Sequence, residues 1–174
     1  MKTKIKCLTS VFLTITMLLS IIVVAPIMVN ASEDDLTYGD FTYEVNNDGS
    51  CTITDYEGKS ADVSIPSTIC GHKVTKIGGA AFGYNESIKS VIVPNGVTNI
   101  DVGAFECCDN LTKVSLPDTI TYIDAYAFAY NEKLADISIP NDVEYVGESA
   151  FEETKWLNDQ PNGIVYAGKV AYIY

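Results

Sequence analysis

Few side chains in this sequence could do chemistry, and their spacing limits them further. His72 is the single histidine in 174 residues. It leaves no His-paired metal site and little room for imidazole-based acid–base catalysis. Beyond Cys7 the cysteines are Cys51, Cys70, Cys107 and Cys108. None of them forms a C-x-x-C pair, which removes a thioredoxin-like redox site and a zinc knuckle. The carboxylates of Glu152-Glu153, Glu33-Asp34-Asp35 and Asp48 are of the type a glycosidase uses. They fall in turns and termini, however, and nothing in the pattern draws two of them into one apolar cleft where a pKa would rise. Asn47-Asp48-Gly49 offers one carboxylate, short of the several oxygen ligands calcium needs. Leu116-Pro117-Asp118-Thr119-Ile120 imitates the start of a sortase signal but lacks the following Gly and a trailing apolar tail with a basic end. No catalytic residue, metal or cofactor is expected.

Composition agrees with that inventory. Apolar residues make up 47% and charged residues 20%, so a packed core is expected rather than disorder. The net charge is −12 and no Arg occurs, which argues against nucleic acid because phosphate contacts want clustered cations and guanidinium forks. Lys2, Lys4 and Lys6, the apolar run from Cys7 to Val29 and the small residues around Ala31 have the layout of a secretory signal peptide. Residues 1–31 are therefore expected to be removed, leaving Ser32 as the mature start. The rival reading is an uncleaved anchor, because about 20 apolar residues can span a bilayer. All charges of that segment are Lys, so the mature chain carries 8 Lys against 23 acids, or about −15. Such a surface repels anionic membranes and polyanions, and no membrane insertion is expected after cleavage.

The elements that must position any site come from a repeat of 23 residues. Ala-Phe recurs at 81–82, 104–105, 127–128 and 150–151, and Pro94, Pro117 and Pro140 keep the same step. So do Ile77, Ile100, Ile123 and Val146, and likewise Ile88, Leu111, Leu134 and Leu157. Each unit reads as a short strand such as Val114-Ser115-Leu116, a Pro-marked turn, a second extended piece and a small helical turn around Ala-Phe. Pro cannot donate to a parallel ladder and so ends the strand. One unit cannot bury its apolar side alone; stacking at least three does. The predicted fold is a β-rich leucine-rich repeat solenoid with parallel strands and short helical turns.

These columns resemble the BspA-type leucine-rich repeat family of secreted and surface proteins. Its pattern, about L-x-x-I-x-I-P-x-x-V-x-x-I-G-x-x-A-F-x-x-C, is carried by Leu111 through Phe128 and by Leu134 to Phe151. Cys108 fills the family's Cys position, with Asn85 and Asn131 in its place in neighbouring units; Asn there could bond stacked backbone. Gly78 and Gly147 keep the Gly, while Asp101 and Asp124 depart from it. The resemblance implies adhesion or protein interaction for some members.

Residues 32–59 read as a β-hairpin cap, with Phe41–Val45 and Cys51–Asp55 alternating around Asn46-Asn47-Asp48-Gly49. Residues 60–157 are the repeats. The first unit is longer, 16 residues from Pro66 to Phe82 against 11 in each later unit, and the extra residues are expected as a looped-out turn within Ser67–Lys73. Residues 158–174 read as a second hairpin, Ile164-Val165-Tyr166 with Val170-Ala171-Tyr172. Its end on Tyr174, in mid-strand, is expected of a fragment. A secreted chain permits disulfides, and four Cys allow three connectivities. In an anaerobe all four stay reduced; if a bridge forms, Cys51 with Cys70 is the preferred pair, tying the cap to the first unit.

The functional candidates are surface positions on the strands. Ser64, Ile92, Ser115 and Ser138 form one outward column; Lys89 and Thr112 lie in a second, with Ser90, Lys113 and Asp136 beside it. The expected function is a secreted or cell-surface, non-catalytic module that binds a protein or glycan ligand. The alternative is a targeting or scaffold segment of a larger secreted enzyme, such as one acting on polysaccharide, with its catalytic part beyond Tyr174.

Overall fold

The computed structural model describes residues 36–161 and 164–173. Residues 1–35, Asn162, Gly163 and Tyr174 lie outside the described residues, and with them the expected leader, the expected mature start at Ser32 and the carboxylates Glu33-Asp34-Asp35. Three antiparallel strands come first: β1 (Leu36–Tyr38), β2 (Phe41–Val45) and β3 (Cys51–Tyr56). The β2–β3 turn closes because Gly49 takes φ 82° and Asp48 Oδ1 accepts the Ser50 N–H at 2.9 Å. β3 then pairs in parallel with β6 (His72–Ile77), so the hairpin extends a sheet of the repeats.

From there each coil gives one strand to each of two parallel sheets. β6, β8 (Asn99–Ile100), β10 (Tyr122–Ile123) and β12 (Tyr145–Val146) continue the first sheet. β4 (Asp62–Ser64), β7 (Ser90–Ile92), β9 (Lys113–Ser115) and β11 (Asp136–Ile137) make the second. Equivalent residues are in register, with Lys76, Asn99, Tyr122 and Tyr145 side by side. α1 (Lys155–Asn158) and the antiparallel pair β13 (Ile164–Ala167) and β14 (Val170–Ile173) close the array.

Two local expectations change. The extra residues of the first unit are not merely looped out. β5 (Thr68–Ile69) pairs antiparallel with the start of β6, and Cys70 and Gly71 take φ 51° and 88° between them. Two consecutive positive φ values are what a tight two-residue hairpin needs. Nor is the Ala-Phe corner a helical turn. It is a pair of isolated turns, as in Ala104 N–H to Asp101 O at 3.1 Å and Glu106 N–H to Gly103 O at 2.9 Å. Left-handed residues interrupt it before a helix can propagate. The Phe N–H between those turns points along the stack instead, reaching Ala104 O from Phe82 and Ala127 O from Phe105, both at 2.8 Å.

The core lies between the sheets and the corners. Phe82, Phe105, Phe128 and Phe151 stack face to face with centroids 4.8, 5.3 and 5.5 Å apart. Tyr56 and Phe41 cover the first ring, and Trp156 and Tyr172 cover the last. Beside this column Cys108, Asn131 and Thr154 occupy equivalent buried positions. Asn131 Nδ2 donates to Phe105 O and Phe128 O at 2.8 and 2.7 Å, and its Oδ1 accepts the Cys108 N–H at 2.8 Å. The amide thus ties two coils together, as the sequence suggested Asn could. A Cβ on Gly78 would approach Ile53 O to 2.8 Å, and one on Gly147 would collide with the Ala125 backbone. In the same column Asp101 is accommodated by Lys76 at 2.8 Å, and Asp124 Oδ1 accepts the Ala125 N–H at 2.8 Å.

Phe105 is fully buried between two rings. Phe105→Ala should cost about 3–5 kcal/mol, a large part of the ~5–15 kcal/mol available to a domain of this size. A thermal melt should show a protein that is largely unfolded or aggregation-prone; a melt superimposable on the parent would place Phe105 outside the core.

Candidate interaction surfaces

Every strand-face candidate from the sequence lies on the second sheet or its margins. Ser64, Ile92 and Ser115 are register partners across β4, β7 and β9, and Ser138 follows β11. All four are exposed, Ile92 at 54%. Lys89, Thr112, Lys113 and Asp136 are exposed as well, and Ser90 is half-buried. Much of the polarity here is spent within the sheet. Ser90 Oγ donates to Asp62 Oδ1 at 2.6 Å, Lys113 Nζ meets Asp136 Oδ2 at 2.6 Å, and Thr112 Oγ1 donates to Lys89 O at 3.0 Å. An exposed ion pair of this kind adds at most about 1 kcal/mol.

The cysteine reading needs one correction. Cys51 is a free thiol, so the preferred Cys51–Cys70 bridge is not formed. The reason is placement: Cys51 points into the core opposite Val74, its Sγ near His72 O at 3.8 Å, while Cys70 sits exposed at the β5–β6 turn. Cys107 and Cys108 are also free thiols. Burial pushes the Cys107 pKa up, helped by Glu106 and Asp109, and burial pushes Cys108 up to about 12. Neither is poised as a thiolate nucleophile.

A second surface was missed in the sequence. Each corner holds two residues in the left-handed region, at φ from 53° to 62°: Ala80 and Tyr84, Gly103 and Cys107, Tyr126 and Tyr130, Ser149 and Glu153. In the first three corners the conformation turns these backbone N–H groups towards the next coil, as in Tyr84 to Glu106 O at 2.8 Å and Tyr130 to Glu152 O at 2.7 Å. It also turns the side chains outward. Tyr84, Tyr126 and Tyr130 are 67%, 36% and 38% exposed, with Val102 beside them at 51%. Carboxylates border the rings. Tyr84 Oη donates to Glu106 Oε2 at 3.5 Å, and Glu106 is the main cause of the raised Tyr84 pKa; Glu152 plays that part at Tyr130. The 23-residue step contained these positions, but no side-chain pattern announces a left-handed backbone.

The carboxylates also gather more closely than the sequence implied. Glu148, Glu152 and Glu153 line one cavity of about 590 Å³ with Leu157 and Tyr172, between the last coil and the closing hairpin. Asp48, by contrast, is committed to its own turn: Ser50 Oγ and N–H bond its Oδ1 and hold its pKa below the usual carboxylate range. Among the described residues no group of three His, Cys, Asp or Glu is arranged to hold a metal, and no helix is long and apolar enough to cross a membrane.

Parallel strands stepping by one coil, an Ile/Leu-lined interior and a Phe at every corner define a leucine-rich repeat solenoid. The sequence matches the BspA type leucine rich repeat region in six copies over residues 55–162, and the chain belongs to that family. A leucine-rich repeat protein from Bacteroides capillosus ATCC 29799 is similar in structure, with 31% identity and a TM-score of 0.65 over 71% of this chain and 94% of that one. The T. pallidum leucine rich repeat protein shares 27% identity at a TM-score of 0.55, covering 65% of this chain and 64% of that one. A Bacteroides ovatus leucine-rich repeat protein has the same fold at 24% identity and a TM-score of 0.60; the match covers 68% of this chain and 33% of that one. No curated protein matches the sequence.

The buried thiol predicts a pH dependence. Its folded pKa, about 12, lies above the ordinary 9.0, so only the unfolded chain loses the proton between those values. The Cys108 contribution should be fully present below about pH 9 and be lost as pH rises towards 12, with burial driving Tyr43, Tyr56 and Tyr172 the same way. At about 1.4 kcal/mol per pH unit the thiol alone contributes on the order of 4 kcal/mol. Urea midpoints at pH 7.5 and pH 10.5 should differ, and Cys108→Ala should reduce the difference.

Proposed function

We propose that the chain is a non-catalytic interaction module of a secreted or cell-surface protein, and that it engages a protein or glycan ligand through its stacked outer positions. The observation that carries this reading is the solenoid itself. Its side chains repeat at fixed register on a rigid frame, the geometry on which repeat proteins build broad contact surfaces. The leader-like sequence of residues 1–31 supports export. A module of this kind has no need of a nucleophile–base pair, and the reactive inventory supports that: one His, and thiols held protonated.

The mature chain from Ser32 should therefore be inert towards glycosidic, ester and peptide substrates. Turnover by purified protein that disappears with a carboxylate substitution, Glu152→Gln for example, would sink this reading. On the strand face, replacing Lys89 and Lys113 together with Glu should weaken an acidic ligand by about tenfold, the worth of ~1.4 kcal/mol. A basic ligand should bind as well or better. An acidic ligand indifferent to the double change would remove the strand face as its site.

A further inference from the structure

We propose that the row of corner tyrosines, Tyr84, Tyr126 and Tyr130, together with the cavity at its end, holds an extended cationic segment, rich in Lys or Arg, of a protein partner. This rests on the interaction-module reading and gives it a site and a ligand chemistry.

The fold does not ask for these rings. A left-handed position carries a steric cost for a residue with a Cβ, and Gly is the type that avoids the cost. Of the eight such corner positions only Gly103 is Gly, while three are Tyr. Bulky side chains with positive φ are uncommon, and an outlier of this kind is a pointer to function. Tyr84, 67% exposed, does not repay the cost by burial, and Tyr126 and Tyr130 still leave more than a third of their surface to solvent, at 36% and 38%. They form an aromatic side on the corner edge of the coil, with Tyr84 Oη bonded to Glu106 Oε2 at 3.5 Å.

Charge selects the occupant. Glu106 reaches Tyr84, Glu152 lies by Tyr130, and Glu148 and Glu152 pass on into the cavity lined by Glu153, Leu157 and Tyr172. The backbone binds the row to the cavity as one body, since the Tyr126 and Tyr130 N–H groups bond Glu148 O and Glu152 O at 3.1 and 2.7 Å. The nearby ammonium, Lys133, is engaged by Asn110 Oδ1 at 2.8 Å. A Lys or Arg side chain over a tyrosine face gains cation–π attraction, and a carboxylate at the ring edge completes the pair. The mixed lining of the cavity suits the same side chain, with its alkyl stem against Leu157 and Tyr172 and its head among the carboxylates. From the coil of Tyr84 to that of the cavity is three coil steps, ~14 Å at the usual strand spacing, or about four extended residues. An acidic segment would be repelled. A neutral glycan would use the rings and leave the carboxylates without their counter-charge.

The test uses the mature chain and a dye-labelled hexalysine peptide, followed by fluorescence polarisation at ~150 mM salt to damp long-range attraction. Hexaglutamate and cellohexaose are the comparison probes. The triple variant Tyr84→Gly, Tyr126→Gly, Tyr130→Gly keeps the net charge and relieves three left-handed positions. It should remain folded and bind hexalysine at least tenfold more weakly. Glu106→Gln with Glu152→Gln should also weaken hexalysine, about tenfold. Asp62→Asn with Asp136→Asn removes the same charge from the strand face and should change affinity less than twofold. That second comparison decides the matter even if the triple variant fails to fold. Equal losses in the two charge variants would mean diffuse attraction and overturn the proposal, as would a folded triple variant that binds like the parent. Cellohexaose binding that needs the rings but not the carboxylates would make the row a glycan site and overturn it too. None of these results bears on the absence of catalysis, which is judged by turnover alone.

Discussion

A phenylalanine at the corner of a coil excludes water from both its faces only while the coils above and below place their own rings on it. The ring centroids step by 4.8 to 5.5 Å, close to the ~4.7–4.9 Å between hydrogen-bonded strands. Backbone ladder and ring stack therefore demand the same repeat distance, and a coil that satisfies one satisfies the other. The length of the coil, the register of both sheets and the need for something aromatic at each end follow from this. Tyr56 and Phe41 at one end, Trp156 and Tyr172 at the other, are the answer to a column that would otherwise end in water.

Because the strands of the coils after β6 are only two or three residues long, none of them has standing of its own. Each coil is held by what its neighbours bond to it. Polar groups can be buried under that arrangement, best where they serve two coils at once. Asn131 does so through its whole amide, Cys108 does so weakly by aiming its thiol at Phe82 O at 3.1 Å, and Thr154 returns to Phe151 O at 2.7 Å while capping α1. Stability in such an array is a sum over adjacent interfaces, and these side chains set the terms.

Side-chain columns were legible in the sequence because the 23-residue step repeats them: the Phe positions, the Ile and Leu positions, the strand triplets and the role of Asn131. What escaped is written in the backbone or in long-range geometry. Positive φ at Tyr84, Tyr126 and Tyr130 leaves no mark in residue type, since Gly and Asn are the usual signals and Tyr is not. The β5–β6 hairpin was visible as extra length, but its pairing depended on Cys70 and Gly71 both adopting positive φ. The gathering of Glu148, Glu152 and Glu153 needs the closing hairpin to fold back over the last coil, which no local spacing predicts. Cys51 was assigned a partner by its position in the chain, whereas the inward pleat of β3 decides where its sulfur goes.

The in-register stack also shapes how such a chain can be shortened or lengthened over generations. Excising residues 106–128 would join Phe105 to Ala129, the position equivalent to Glu106 one coil earlier, and would leave Phe105 facing Phe151 at the ordinary step. The single new junction satisfies the same ladder, so a copying error that slips by one whole coil passes through no ill-fitting intermediate. A slip by any other length takes the Phe, Ile and Leu columns out of register, and an odd one also exchanges the two faces of a strand. Length is thus inherited in quanta, and the corner side chains can be replaced coil by coil while the frame beneath them is left alone.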